Sequence, residues 1–132
     1  MQLLEINKEN YIGQADPFIM ESGGRFYIYT TGSDGVYAYS SDELFSGWRF
    51  EGRVFTYSDV SDFWAPSVIE LDGKFYMYCS FEFYGDTPDE GGHRQTMFVT
   101  CADSPLGPFE NARQLLHPFS IDSHVVKNES GL

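Results

Sequence analysis

Ala15-Asp16-Pro17-Phe18-Ile19-Met20-Glu21-Ser22-Gly23-Gly24-Arg25-Phe26-Tyr27-Ile28-Tyr29 decides the reading of this chain, because the sequence states it again further on. Shifted by 49 positions (15 to 64), it lies over Trp64-Ala65-Pro66-Ser67-Val68-Ile69-Glu70-Leu71-Asp72-Gly73-Lys74-Phe75-Tyr76-Met77-Tyr78. Pro17 then meets Pro66, Gly24 meets Gly73 and Phe26 meets Phe75, while Asp16 falls over Ala65. A third statement opens at Asp122-Ser123-His124-Val125-Val126 and regains the aspartate. Two of three copies therefore carry a carboxylate at one equivalent point.

Outward from that stretch, Asp16 through Met20 reads as a strand and Glu21 to Gly24 as a turn in which glycine takes the positive φ. Arg25 to Thr30, rich in aromatic and β-branched residues, is a second strand. A turn on Gly32 to Gly35, a third strand Val36 to Ser40, a turn on Ser41 to Gly47 and a fourth strand Trp48 to Thr56 complete a four-stranded antiparallel unit. The second unit keeps this order, with Asp42 mapping to Asp103, Gly47 to Pro108 and Trp48 to Phe109, each 61 positions on. The shift grows from 49 to 61, so twelve residues (61 − 49) are inserted within 81–94, a Gly-, Pro- and acid-containing surface loop.

A repeat of this length with four antiparallel strands is the pattern of a β-propeller blade. The second strands, Phe26 to Tyr29 and Phe75 to Tyr78, are apolar on both faces, as blades stacked face to face require. The expected fold is all-β: propeller blades of four antiparallel strands, incomplete, with about two blades plus the first strand of a third. Residues 1–14 form a lead-in or edge strand, 15–57 blade 1, 58–119 blade 2 with its inserted loop at 81–94, and 120–132 the start of a truncated blade 3.

The charge balance narrows the partners. Eight Lys and Arg against twenty Asp and Glu give a net charge of −12, which repels phosphate backbones and anionic lipid surfaces, so neither nucleic acid nor membrane is expected. Aromatic residues are 17% of the chain and supply flat faces on which sugar rings stack. No basic n-region with a long apolar run opens the sequence, and the chain reads as cytoplasmic, with a periplasmic or secreted location left open. Centring the second turn on Ser33 puts Ser40 opposite Phe26, hence its counterpart Cys101 opposite Phe75. Cys79 is then out of disulfide reach, and two free, buried thiols are expected. His93, His117 and His124 lack metal-ligand spacing, so no cofactor or metal is expected of these residues.

Successive connections of an up-and-down blade alternate between the two rims of the disc. One rim collects the heads of the first strands, Asp16 and Asp122, together with the 81–94 insertion and the connection from Tyr57 to Trp64. Carboxylates facing one cavity beside an aromatic platform suggest sugar chemistry. An Asp before Pro is also a common turn residue, and Trp64 could simply cap a blade interface.

Ala15-Asp16-Pro17-Phe18-Ile19, Phe63-Trp64-Ala65-Pro66-Ser67-Val68, Asp103-Ser104-Pro105-Leu106-Gly107-Pro108-Phe109 and Ile121-Asp122-Ser123-His124 resemble the opening motifs of glycoside hydrolase family 43. The resemblance implies a five-bladed propeller that cleaves arabinosides and xylosides of plant polysaccharides with inversion, using three acids. By resemblance Asp16 matches the general base that activates water, and Asp122 matches the aspartate that orients the general acid and raises its pKa. Trp64, His124 and Phe63 would line the sugar subsite. In a complete propeller the family often holds a channel ion such as calcium, through later blades. An inverting enzyme sets its two carboxyl groups roughly 6.5–9.5 Å apart to admit a water, and its base must be ionised at neutral pH.

The general-acid glutamate of that family has no match here; Glu82 and Glu90 share the rim but lie in no matching motif. The expectation is a truncated glycosidase, inactive alone or completed by further blades or by self-association into a homo-oligomer. The alternatives are a non-catalytic carbohydrate-binding or assembly module, and a glycoside phosphorylase or other propeller glycosidase.

Overall fold

The computed structural model describes residues 15–86, 88, 91–92, 94–116 and 119–128; the expected lead-in of residues 1–14 lies outside them. Among the described residues eight strands run in chain order: β1 (Phe18–Ser22), β2 (Arg25–Thr30), β3 (Val36–Ser41), β4 (Arg49–Phe55), β5 (Val60–Leu71), β6 (Lys74–Phe83), β7 (Thr96–Ala102) and β8 (Glu110–Leu116). They form two four-stranded antiparallel sheets, β1-β2-β3-β4 and β5-β6-β7-β8, each in simple up-and-down order. These are two propeller blades. No helix among the described residues is long and apolar enough to cross a membrane.

The first hairpin of each blade turns on two residues with positive φ, Gly23 (59°) and Gly24 (77°) in one, Asp72 (50°) and Gly73 (75°) in the other. Two left-handed residues define the type I′ turn, whose twist matches that of the flanking strands. Blade 1 adds a repeated surface ion pair, Arg25 to Asp42 at 2.8 Å, whose blade 2 counterpart is Lys74 to Asp103 at 2.9 Å. Both pairs are solvent-screened and mark the repeat more than they stabilise it.

The register differs by one residue from the sequence-based expectation. Thr30 pairs with Tyr37, so Tyr27 faces Ser40 and Phe26 faces Ser41. Val36 pairs with Phe55 of β4, and the β2–β3 ladder ends at Thr30 and Tyr37, so the connection is one residue longer than expected. A one-residue slip exchanges the two faces of a strand. Cys101 accordingly lies opposite Tyr76 and not Phe75, and is half-buried rather than buried. Cys79 lies opposite Phe98 inside the core, where burial pushes its thiol up, and both cysteines are free.

The blades stack face to face. Blade 1 contributes Tyr27, Tyr29 and Ala38 from the face alternate to Ile19 and Ile28, and blade 2 contributes Val68, Phe75, Met77 and Cys79. The densest part is aromatic. Phe81 stacks on Phe98 at 4.0 Å between ring centroids and meets Phe63 at 5.3 Å, Tyr57 at 5.7 Å and Phe83 at 5.8 Å. At the other end of the interface the Tyr29 hydroxyl donates to the Pro105 carbonyl at 2.7 Å, and burial raises its pKa.

Two further differences concern the second blade and the segment after β8. β6 continues through Phe83 and β5 begins at Val60, so the first residues of the expected 81–94 loop lengthen a hairpin. Residues 119–128 carry no ladder strand, only a single bridge at Asn128. They are held around Ser120: Ser80 Oγ donates to Ser120 O at 2.6 Å, Met97 N–H donates to Ser120 Oγ at 3.1 Å, and Ser120 N–H donates to Gln95 O at 3.1 Å.

Candidate functional site

The site is built on the heads of the three repeat statements. Asp16, Ala65 and Asp122 all adopt left-handed backbone, with φ of 48°, 44° and 58°. Aspartate tolerates this region better than most residues, whereas alanine is strained there. Even where the carboxylate is replaced by Ala65 the backbone keeps the same turn, so the three positions are equivalent in conformation as well as in sequence. β1 begins at Phe18, two residues beyond Asp16, whereas the equivalent Ala65 lies within β5 at an irregularity of its register.

Thr31, just beyond the end of β2, draws the first two heads together. Its N–H donates to Ala15 O at 3.1 Å, its hydroxyl donates to Asp16 Oδ2 at 3.2 Å, and the same oxygen accepts from Ala65 N–H at 3.2 Å. The accepting bond fixes the polarity: with one lone pair taken by Ala65, the hydroxyl proton is directed at the carboxylate. Next to it Gly32 exchanges both backbone bonds with Phe63, N to O at 3.1 Å and O to N at 2.9 Å. A side chain at Gly32 would run into the Gly35 carbonyl and the Tyr37 ring of its own blade, so the turn that brings Gly32 to Phe63 needs glycine there.

The third head is tied to both blades. Ser123 Oγ lies 3.4 Å from Ser67 Oγ on β5, and the His124 imidazole meets the ring of Phe18 edge-on at 5.7 Å. Phe18 is two residues beyond Asp16, so the segment bearing Asp122 and His124 lies beside that bearing Asp16. Asp16, Asp122 and His124 are exposed, and Trp64 is half-buried on β5 opposite Ser80.

Phe63 is a correction. It is 0% exposed and its ring packs between Phe55, at 5.6 Å, and Phe81, so no ligand reaches it. It is the residue before Trp64 on the same strand, and alternation sends the two aromatic rings to opposite faces. Glu82 is engaged by protein groups: Ser61 Oγ at 3.3 Å, Gln95 Nε2 at 3.4 Å and Arg94 Nη1 at 3.8 Å. Glu90, His93 and His117 lie outside the described residues, among which no group of three His, Cys, Asp or Glu side chains is placed to hold a metal.

Sequence reasoning missed Thr31, Ser67 and Ser123. The signal for Thr31 was present: shifted by 49, it falls on Ser80, whose hydroxyl reaches Ser120 in the next segment as Thr31 reaches Ala65. Thr31→Val keeps the shape and removes both hydroxyl bonds, leaving Ala65 N–H unpaired. It is expected to lower stability by about 1–3 kcal/mol in urea unfolding, and Thr31→Ser to restore most of it. Equal stability of wild type and valine variant would show that the bridge holds nothing.

The family model for glycosyl hydrolases family 43 matches residues 12–132. The chain belongs to glycosyl hydrolases family 43. A curated relative, the extracellular exo-alpha-(1->5)-L-arabinofuranosidase of Cellvibrio japonicus, is 30% identical over an alignment of 80 residues that covers 53% of this chain and 22% of the relative. Among solved structures, a thermostable family-43 glycoside hydrolase superposes with a TM-score of 0.72 at 29% identity, over 90% of this chain and 39% of its own. A β-xylosidase/α-arabinofuranosidase from a compost microbial metagenome, in complex with xylotriose, superposes with a TM-score of 0.71 at 23% identity. It is covered over 41% of its length, against 92% of this chain. The chain thus spans well under half of the proteins it matches, and these neighbours agree with the two blades of a larger propeller.

Proposed function

We propose that this chain forms part of the pentose-binding rim of an inverting α-L-arabinofuranosidase or β-xylosidase, with Asp16 as the general base and Asp122 as the group that orients the general acid. What supports the reading is that two exposed aspartates head equivalent left-handed turns, on segments joined by the contact of Phe18 with His124, in a family 43 chain. In an inverting reaction a water attacks the anomeric carbon as the base takes its proton, while the leaving oxygen is protonated by a second carboxyl group. Thr31 donates to one oxygen of Asp16, which leaves the other to receive that proton. The proton donor comes from outside these residues, through further blades or a second copy.

The division of labour makes the reading testable on this chain. A dinitrophenyl leaving group departs as a stable phenolate and needs little acid assistance, so a base without its acid partner is expected to turn over activated aryl arabinofuranosides or xylosides but not oligosaccharides. Xylotriose and arabinotriose are expected to bind saturably by calorimetry, and Trp64→Ala to weaken that binding roughly tenfold through loss of stacking. Absence of binding to any pentose oligosaccharide would overturn the proposal. Binding with no turnover even of the dinitrophenyl substrate would instead assign the chain a non-catalytic carbohydrate-binding role.

A further inference from the structure

In blade 1 a hydroxyl serves the head of its own blade. Thr31 gives its single proton to Asp16 Oδ2 at 3.2 Å and accepts from Ala65 N–H at 3.2 Å. Shifted by 49 positions, Thr31 falls on Ser80 and Asp16 on Ala65. The backbone keeps that match: Thr31 N–H reaches the carbonyl of Ala15, the residue before Asp16, and Ser80 pairs with Trp64, the residue before Ala65. Ser80 therefore stands to the second head as Thr31 stands to the first. The methyl group of Ala65 accepts no hydrogen bond, so the Ser80 proton finds no carboxylate at its own head. It goes to Ser120 O at 2.6 Å, two residues before Asp122.

The redirected bond completes the grip on one residue. Ser120 also donates its N–H to Gln95 O at 3.1 Å, and its Oγ accepts from Met97 N–H at 3.1 Å. Ser80 and Met97 lie directly opposite each other on β6 and β7, so one cross-strand pair holds Ser120 from two sides. Ser80 is 1% exposed, so water does not replace its bond when the hydroxyl is removed. Beyond Ser120 the burial alternates: Ile121 and Ser123 are half-buried, Asp122 and His124 exposed. Fixing Ser120 therefore fixes which side chains the segment turns outward.

We infer that Ser80 is the positioning residue of Asp122, and that the alanine at position 65 is what frees it for that task. Both heads that carry a carboxylate are set by a hydroxyl of blade 1 or blade 2, by different routes. Thr31 bonds the side chain of Asp16 itself, whereas Ser80 bonds the backbone that leads into Asp122. A carboxylate at 65 would capture the Ser80 proton as Asp16 captures that of Thr31, because a bond to an ionised acceptor is roughly twice as strong as one to a neutral carbonyl. The acid missing from the second repeat is thus a requirement of the third. The inference rests on the functional reading for the use to which Asp122 is put, while the grip on its segment stands on geometry alone.

Amide hydrogen exchange on the full chain, followed by NMR, tests both parts. Ser80→Ala is expected to speed exchange at the Ser120 and Met97 amides about 10-fold, the effect of one lost hydrogen bond on local opening, with the β2 amides of blade 1 unchanged. Ala65→Asp should do the same without lowering stability in urea, since aspartate suits the left-handed backbone at 65 better than alanine. Ala65→Gly suits that backbone and brings no acceptor, so it should leave both rates at their wild-type values. Combined in one chain, Ala65→Asp and Ser80→Ala should speed exchange no more than either alone, because both remove the same bond. Xylotriose at about ten times its Kd should slow the wild-type Ser120 amide about 10-fold, because a sugar held by Asp122 and His124 binds only the docked segment. Unchanged Ser120 exchange in Ser80→Ala or in Ala65→Asp overturns the inference, and so does xylotriose that binds without slowing that amide. If no pentose oligosaccharide binds, the functional reading fails by itself, and the two variants still decide whether Ser80 sets the segment.

Discussion

Truncation of Phe81 to alanine is expected to lower the unfolding free energy by about 3–5 kcal/mol in urea denaturation. Phe81 is 0% exposed and touches the rings of Phe55, Tyr57, Phe63, Phe83 and Phe98, which come from four strands and the connection between the blades. Those neighbours are held by their own backbones in two different sheets, so the site collapses poorly and the cavity term adds to the lost burial. Stability of an ordinary domain is about 5–15 kcal/mol, so the loss is a large part of it. Phe81→Leu, which keeps much of the volume, should cost clearly less. The effect extends to the rim. Phe63 rests on Phe81 and binds Gly32, the neighbour of Thr31, so loosening the ring cluster loosens the bridge between Asp16 and Ala65. A loss under about 1 kcal/mol would mean that the two blades are joined elsewhere than through this cluster.

How far the sequence discloses this arrangement depends on what each feature is made of. The blades are legible because the chain states them twice, with Gly23-Gly24 and Asp72-Gly73 marking the same turn. Backbone handedness is not legible: Asp16 reads as the start of a strand, but it takes left-handed backbone and β1 begins two residues later. Register is off by one residue because the β2–β3 connection centres between Ser33 and Asp34, with Thr30 opposite Tyr37, a position that the turn's composition does not record. Phe63 and Trp64 are indistinguishable as adjacent aromatics; which one enters the core depends on the register of β5, irregular on both sides of Trp64. The Thr31 bridge was readable as a hydroxyl repeated at Ser80, but its role needs the next blade in place.

Asp16→Asn is expected to lower kcat on a dinitrophenyl α-L-arabinofuranoside by about 10²–10⁴-fold with little change in KM, in this chain or in any assembly of it that turns the substrate over. The amide keeps the shape of the carboxylate and still accepts the Thr31 hydroxyl bond through its carbonyl oxygen, so the turn and the subsite are retained. What it loses is the capacity to take a proton from water. Departure of dinitrophenolate from the anomeric carbon does not depend on that proton, whereas attack by water on the opposite face does. Azide separates the two requirements. As an anion it forms the bond to the anomeric carbon while the phenolate leaves, and no proton has to move. Added azide should therefore restore the variant's rate, with the glycosyl azide of inverted configuration as product, and leave the wild type nearly unaffected. A variant that merely misplaces the sugar would show raised KM and no rescue. An unchanged kcat, or a lost kcat that azide fails to restore while xylotriose still binds, would remove Asp16 from the role of base and leave it the residue that turns the chain into β1.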